Sequence, residues 1–243
     1  MISVVVPKEN IGQHTVQVTD KGDIHHLLDV FRLSVGDSVR AVDGEMEYRC
    51  VIQSVGAGAL TLAIQERTPD SYSQGIEVHM ALSLLKTDKM DFAVQKLTEL
   101  GVAAVIPLLT KRVAVHIGDA EKERKKLERW VRIADETLKQ CRGVKKTAIA
   151  PFTAIKDLDC QGYDLVIAPY EGEDKKTLKA LLDGIKGVPR KILVVIGPEG
   201  GFDPGEIQFL RERSAEVVTL GKRILRAETA AIVVGGILFH GFI

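Results

Sequence analysis

The sequence predicts an α/β fold: a parallel sheet covered on both faces by helices, preceded by a small β-rich domain. Two observations predict it. From Ile76 onward, short runs rich in Val, Ile and Leu alternate with helical repeats, the rhythm of parallel strands joined by crossover helices. Before Arg67 the runs are instead separated by "DG" and "GAG", which are hairpin signals. A chain of 243 residues is long enough for one small domain joined to a larger one.

In the first part, "DIHHLLDVFRLSVGD" reads as one short helix ending near Gly36. The stretch "DSVRAVDGEMEYRCVIQSVGAGALTLAIQER" then supplies several short antiparallel strands. The polar "RTPDSYSQG", Arg67 to Gly75, has the composition of a linker.

In the second part, "EVHMALSLL" is a strand. "TDKMDFAVQKLTELG" follows as a helix, with Met90, Ala93, Val94, Leu97 and Leu100 on one face and Gly101 as its stop. "VAAVIPLL" is the next strand. Asp119 caps a long helix whose apolar stripe is Leu127, Trp130, Val131, Ala134, Leu138 and Cys141. Further strands are "YDLVIAP", "KILVVIG" and "AEVVTL", with helices near Asp174 to Ile185 and after Asp203. Asp203-Pro204-Gly205-Glu206 carries a helix-start signature: Asp as cap, Pro at the first helical position, Glu reaching back. The closing "AETAAIVVGGILFHGF" is apolar all round, which implies burial, with another subunit as one cover.

With 45% hydrophobic and 27% charged residues, the composition is that of a globular protein. No apolar run is long enough to span a bilayer, and the start shows no secretory pattern, so a cytoplasmic protein is expected. Cys50, Cys141 and Cys160 fit neither a disulfide framework nor a zinc pattern. His25 and His26, adjacent on a helix, point about 100° apart, so no metal site is expected. The 33 basic and 33 acidic residues cancel, which argues against holding nucleic acid by bulk charge. A local basic segment remains: Lys122 to Lys146 holds ten Lys and Arg against four acids. A solvated helix face explains such a run as well as a binding patch does.

Two segments stand out. "IGPEGGFDPGE", Ile196 to Glu206, packs four glycines behind an apolar strand. It matches neither the dinucleotide fingerprint nor the P-loop, and Glu199 at its centre would repel a phosphate. A tight turn is one explanation; backbone amides facing a neutral or cationic ligand is the other. One strand later comes "LGKRILRAETA", Leu220 to Ala230. Arg226, between Leu225 and Ala227 at a helix start, is electrostatically unhelpful there, which points to a functional role. Glu228 is an acid in a helix's first turn, where structure alone favours one.

Together these segments resemble the RsmE family of ribosomal small-subunit RNA methyltransferases, within the SPOUT superfamily. Weaker matches are "SLLKTDKMDFAVQKLTELGV", "RWVRIADETLKQCRG" and "GDSVRAVDGEMEYRCVI". The resemblance implies a PUA-like RNA-binding β-barrel over residues 1–70. It also implies a SPOUT domain over 74–243, whose C-terminal part threads into a trefoil knot. It implies S-adenosylmethionine (SAM) as cofactor, methylation of N3 of a uridine in 16S rRNA near the decoding centre of the 30S subunit, and a homodimer through the knot region and C-terminal helix.

On this resemblance three loops face the cofactor: Ala168, Pro169, Tyr170 and Glu171; Ile196, Gly197, Pro198, Gly200 and Gly201; Leu220, Gly221, Ile224 and Leu225. Leu193 and either Ile224 or Leu225 flank the adenine. The RNA is met by Gln140, Arg142, Arg223 and Lys8. Family members commonly begin with an aromatic-rich strand carrying an arginine; here "MISVVVPKEN" offers Lys8 as its nearest cation. Arg226 and Glu199 are the catalytic residues: an arginine stabilises the developing uracil anion, or a carboxylate accepts the N3 proton. The sequence leaves that choice open. It also leaves open a related methyltransferase acting on tRNA and a non-catalytic RNA-binding assembly factor. A nucleotide enzyme of unrelated chemistry lacks any phosphate-binding fingerprint.

Overall fold

The computed structural model describes residues 1–70, 75–113 and 119–242. They form two compact units, residues 1–73 with 135–146, and residues 74–134 with 147–243.

The first unit holds β1 (Ile2–Val5), β2 (Thr15–Val18), β3 (Ser38–Val42), β4 (Met46–Val55) and β5 (Leu60–Pro69). They pair in the order β1-β3-β4-β5-β2. The "DG" and "GAG" turns fall where the sequence puts them, with Gly44 and Gly58 both at φ 99, conformations that glycine adopts without steric cost. Two expectations change. β1 pairs parallel with β3, and no ladder joins β1 to β2 among the described residues, so the sheet is curled but open. The early helix is also shorter than expected. α1 (Lys21–His25) runs into a π-helical turn over His26–Val30. Arg32 at φ 55 then reverses the chain, and the Ser34 amide donates to the Asp37 carboxylate at 2.7 Å. Of the expected linker, Arg67 to Pro69 close β5, while residues 71–74 lie outside the described residues.

The segment 135–146 belongs to this unit for identifiable reasons. Leu138 and Val144 pack with Val42, and Lys139 Nζ lies 2.5 Å from the Asp23 carboxylate. The buried Arg40 donates to the carbonyls of Arg142 and Gly143 at 2.9 and 3.0 Å.

The second unit is a seven-stranded parallel sheet. Its strands are β6 (Glu77–Ser83), β7 (Ala104–Leu109), β8 (Ala148–Ile149), β9 (Thr153–Ala154), β10 (Leu165–Pro169), β11 (Lys191–Ile196) and β12 (Glu216–Val218). The order is β12-β10-β11-β6-β7-β8, with β9 also on β7. β11 therefore inserts between β10 and β6, and the strand order reverses beside it, the place where open α/β sheets bind ligands.

Strand period two sorts β11 between two cores. Ile192, Val194 and Ile196 join the core under α2 (Thr87–Leu100) and α6 (Ala227–Gly241). Leu193 and Val195 join the opposite core with Phe202 and with Ile207 and Leu210 of α5 (Pro204–Glu212). The expected capping box of α5 is present, with Asp203 and Glu206 exchanging hydrogen bonds. Gly101 stops α2 in the left-handed conformation at φ 86. A short α4 (Leu178–Asp183) stands where a longer helix was expected.

The long α3 (Ala120–Cys141) is capped by Asp119, whose carboxylate accepts from the Lys122 amide at 3.0 Å. Its stripe is narrower than the sequence suggests: Trp130, Ala134 and Leu138 are buried, whereas Val131 is 43% exposed and Cys141 is exposed. Nor is α6 buried all round. Val233 and Ile237, one turn apart, are 37% and 40% exposed.

Candidate active site

Three loops leave the carboxyl ends of β10, β11 and β12, the edges where parallel strands present backbone groups to a ligand. The first, Ala168 to Glu171, is pinned to β12 by the Tyr170 amide, which donates to the Val218 carbonyl at 2.9 Å. The second, Ile196 to Gly201, closes on itself: the Gly201 amide donates to the Pro198 carbonyl at 2.9 Å. Gly201 sits at φ 68, and a β-carbon there would overlap the Glu171 carboxylate. The positive φ favours glycine at that position, while the exposed Glu171 side chain is free to swing aside. At Gly197 a β-carbon would stand 3.0 Å from the Phe202 ring. The first two loops thus meet where the Glu171 carboxylate lies against Gly201.

Supports come from residues that the sequence reading did not single out. Lys89, in the first turn of α2, lies 3.1 Å from Glu199. Arg112, just past β7, donates to the Gly200 carbonyl at 3.3 Å. The neighbouring Lys111 amide donates to Glu206 at 2.7 Å, and its ammonium reaches Asp203 at 3.0 Å. Only a long-range pairing of β7's end with α5 brings these last two cations in, so no local motif announces them.

In the third loop, Leu220 to Arg226, Gly221 takes φ 121 with open space where a β-carbon would be. The Gly221 amide is satisfied by Thr219 Oγ1 at 3.2 Å. The amides of Leu220 and of Lys222 to Arg226 find no protein acceptor among the described residues, nor do those of Gly197, Glu199 and Gly200. Most of these residues are exposed, so their amides face solvent and are open to a ligand. Arg226 is the N-terminal cap residue of α6, with an extended backbone and no capping bond. Its guanidinium has no carboxylate partner among the described residues. Glu228, two residues on, is 8% exposed, and its Oε2 has no hydrogen-bond partner among the described residues.

The expected residues fall into clear groups. Ala168, Pro169 and Tyr170, Ile196 through Gly201, and Leu220 through Leu225 all occupy the three strand ends. Ile224 is 84% exposed and Leu225 half-buried. Leu193 is wholly buried within β11, three residues before the strand ends, among core side chains. Arg223 and Arg226 belong to the second unit. Gln140, Arg142 and Lys8 belong to the first, where Lys8 pairs with Glu45 at 2.5 Å. Among the described residues no cluster of His, Cys, Asp or Glu suits a metal ion, and no helix is long and apolar enough to cross a membrane.

A parallel sheet with ligand-ready loops at its switch point, joined to a small curled sheet, is an architecture with known relatives. Residues 72–238 match the RNA methyltransferase domain family and residues 18–65 the RNA methyltransferase PUA domain family. The chain belongs to this RNA methyltransferase family. It is 32% identical, over 86% of its length and 84% of the relative's, to ribosomal RNA small subunit methyltransferase E of Bacillus subtilis. The Synechocystis protein of the same name is 31% identical over 95% of this chain and 74% of its own. Among solved structures, ribosomal RNA small subunit methyltransferase E of Neisseria gonorrhoeae bound to S-adenosyl methionine superposes with a TM-score of 0.77. It is 25% identical, and the match covers 97% of this chain and 95% of that one. A Legionella pneumophila protein in complex with bound SAM superposes with a TM-score of 0.85 at 26% identity, covering 98% and 96%.

Proposed function

We propose that this protein transfers a methyl group from SAM to N3 of a uridine in 16S rRNA of the 30S subunit. The observation that carries the proposal is the set of solvent-facing backbone amides, without protein acceptors among the described residues, on the glycine-rich loop after β11 and on the loop after β12. They suit a ligand with polar edges and little negative charge. The buried, unpartnered Glu228 oxygen adds an acceptor at the start of α6, so the residues present fit the cofactor.

The loops Ala168–Glu171, Ile196–Gly201 and Leu220–Leu225 would hold SAM, which when bound supplies an already activated methyl group. The remaining task for the protein is orientation, since holding two reactants in line removes much of the barrier. N3 carries a proton that must leave as the new N–C bond forms. Arg226, free of any carboxylate partner among the described residues, stabilises the negative charge that develops on the uracil. Glu199, held in position by Lys89, accepts the proton. The uridine must be unpaired, because N3 is engaged in a base pair.

The proposal includes the trefoil threading of the C-terminal segment and a homodimer that covers Val233 and Ile237 of α6. It places the protein in the cytoplasm with its ribosomal substrate. The test is transfer of tritiated methyl from SAM to 30S subunits lacking the modification, beside naked rRNA and tRNA, with the product nucleoside identified by mass. 3-Methyluridine from the 30S sample is the expected result. Label on tRNA alone would move the acceptor, and no label with no cofactor binding would end the enzyme reading.

A further inference from the structure

The first unit contains a cavity of about 550 Å³ that the methyl-transfer chemistry does not use. Its walls come from β1 (Met1 to Val4), from α1 and the π-helical turn, and from the end of α3. That volume lies in the range of small-ligand sites. Four features argue that it is built for a ligand.

The first is chemical. Phe31 lines the cavity with 46% of its surface exposed, in edge-to-face contact with His26 at 4.6 Å. Gln140 and Arg142 line it too, and neither side chain has a hydrogen-bond partner among the described residues. An open aromatic face, an amide and a guanidinium are what a splayed-out nucleobase uses for stacking, edge reading and backbone contact.

The second is charge. Asp20, Asp23 and Glu136 line the cavity together with Lys139 and Arg142. Lys139 is already held by Asp23 at 2.5 Å and Glu136 at 2.8 Å. With Lys139 so held, Arg142 is the lining cation left for a phosphate, whereas a neutral ring with N–H donors finds carboxylate acceptors in the wall.

The third is backbone. Phe31 follows a π-helical turn, a form that recurs at functional sites. Arg32 and Arg142, beside and within the cavity wall, are two of the three non-glycine residues with positive φ, at 55 and 60. Both follow the end of a helical segment, where the left-handed conformation turns the chain.

The fourth is the device that enforces it. Arg40 is 5% exposed, lies 2.8 Å from Glu47 and donates to Ser3 Oγ at 3.3 Å. From that anchored position it donates to the Arg142 and Gly143 carbonyls, fixing the conformation from which the Arg142 side chain departs.

We propose that this cavity binds one unpaired base of the substrate RNA, stacked on Phe31, its edge met by Gln140 and the neighbouring carboxylates and its phosphate by Arg142. This base is distinct from the methyl acceptor. The inference rests on the RNA methyltransferase reading and names where that RNA is gripped outside the methyl-transfer site.

The test uses the full chain without cofactor and a single-stranded RNA dodecamer carrying one 2-aminopurine, whose fluorescence reports stacking, beside the same strand annealed in a duplex. The expected result is quenching by the wild type with the single strand only. Phe31→Ala should weaken binding roughly tenfold, Phe31→Tyr should restore it, and Gln140→Ala should reduce discrimination between bases. Circular dichroism of each variant verifies that it is folded. Wild-type affinity in folded Phe31→Ala, or equal affinity for the duplex, overturns the proposal. SAM titrated into the wild type separates the two claims: absence of cofactor binding with quenching intact overturns the methyltransferase reading and leaves the base site standing.

Discussion

The carboxylate of Glu171 lies over Gly201, where any β-carbon would overlap it. Gly201 lets the end of the Glu171 side chain come this close at the place where the loops leaving β10 and β11 meet.

Gly201→Ala should therefore damage the site. Alanine at φ 68 costs about 1 kcal/mol in conformation alone, and Glu171 has to swing aside. SAM affinity, measured by calorimetric titration, should fall about tenfold or more. Adding Glu171→Ala should recover the part due to the overlap and leave the conformational part. Unchanged affinity in the single variant would remove this meeting of the loops from the account.

Arg226 and Glu199 are assigned to the chemistry and not to cofactor binding. Arg226→Ala and Glu199→Gln should each lower kcat about a hundredfold, with SAM affinity close to wild type. If either variant loses cofactor affinity in proportion to activity, that residue binds instead of catalysing.

Asp203 predicts a pH dependence. The Lys111 ammonium and the Gly205 amide hold its carboxyl below the ordinary value of 3.8. A depressed carboxylate contributes stability that is complete above its unfolded value and is lost as pH falls through the folded one. The melting-temperature gap between wild type and Asp203→Asn should persist at about pH 5 and close only below 3.8. A gap already closed at the higher pH contradicts the assignment.

Glu228 carries a buried oxygen without a partner among the described residues. Such a group costs about 1–3 kcal/mol. Glu228→Met, which removes the unpartnered oxygen at similar volume, should stabilise the ligand-free protein by about 1 kcal/mol, or about 2–4 °C in Tm. A lower Tm would mean that the carboxylate is satisfied in solution.

Much of this was legible in the sequence because it is local. The capping box of α5, the glycine stop of α2 and the glycine turns of the hairpins each depend on residues a few positions apart. So do the two strand-end motifs, and the family resemblance rests on them. What was not legible is long-range. Lys89 reaches Glu199 across 110 residues of sequence. Lys111 and Arg112 reach α5 and its loop only because β7 and β11 share a sheet. Leu193 shows the same limit from the other side: it belongs to the apolar run before the glycine loop, but strand alternation turns it into the core. Segment 135–146 joins the first unit through Arg40, Lys139 and Leu138, contacts that no composition shift marks.

The most direct measurement of the central claim is hydrogen exchange of individual amides with and without SAM. The unpaired amides of Gly197, Glu199, Gly200 and Lys222 to Leu225 should exchange freely in the ligand-free protein and become protected when SAM is added. Protection elsewhere, or none at these positions at saturating SAM, would contradict the assignment of the three strand-end loops as the cofactor site.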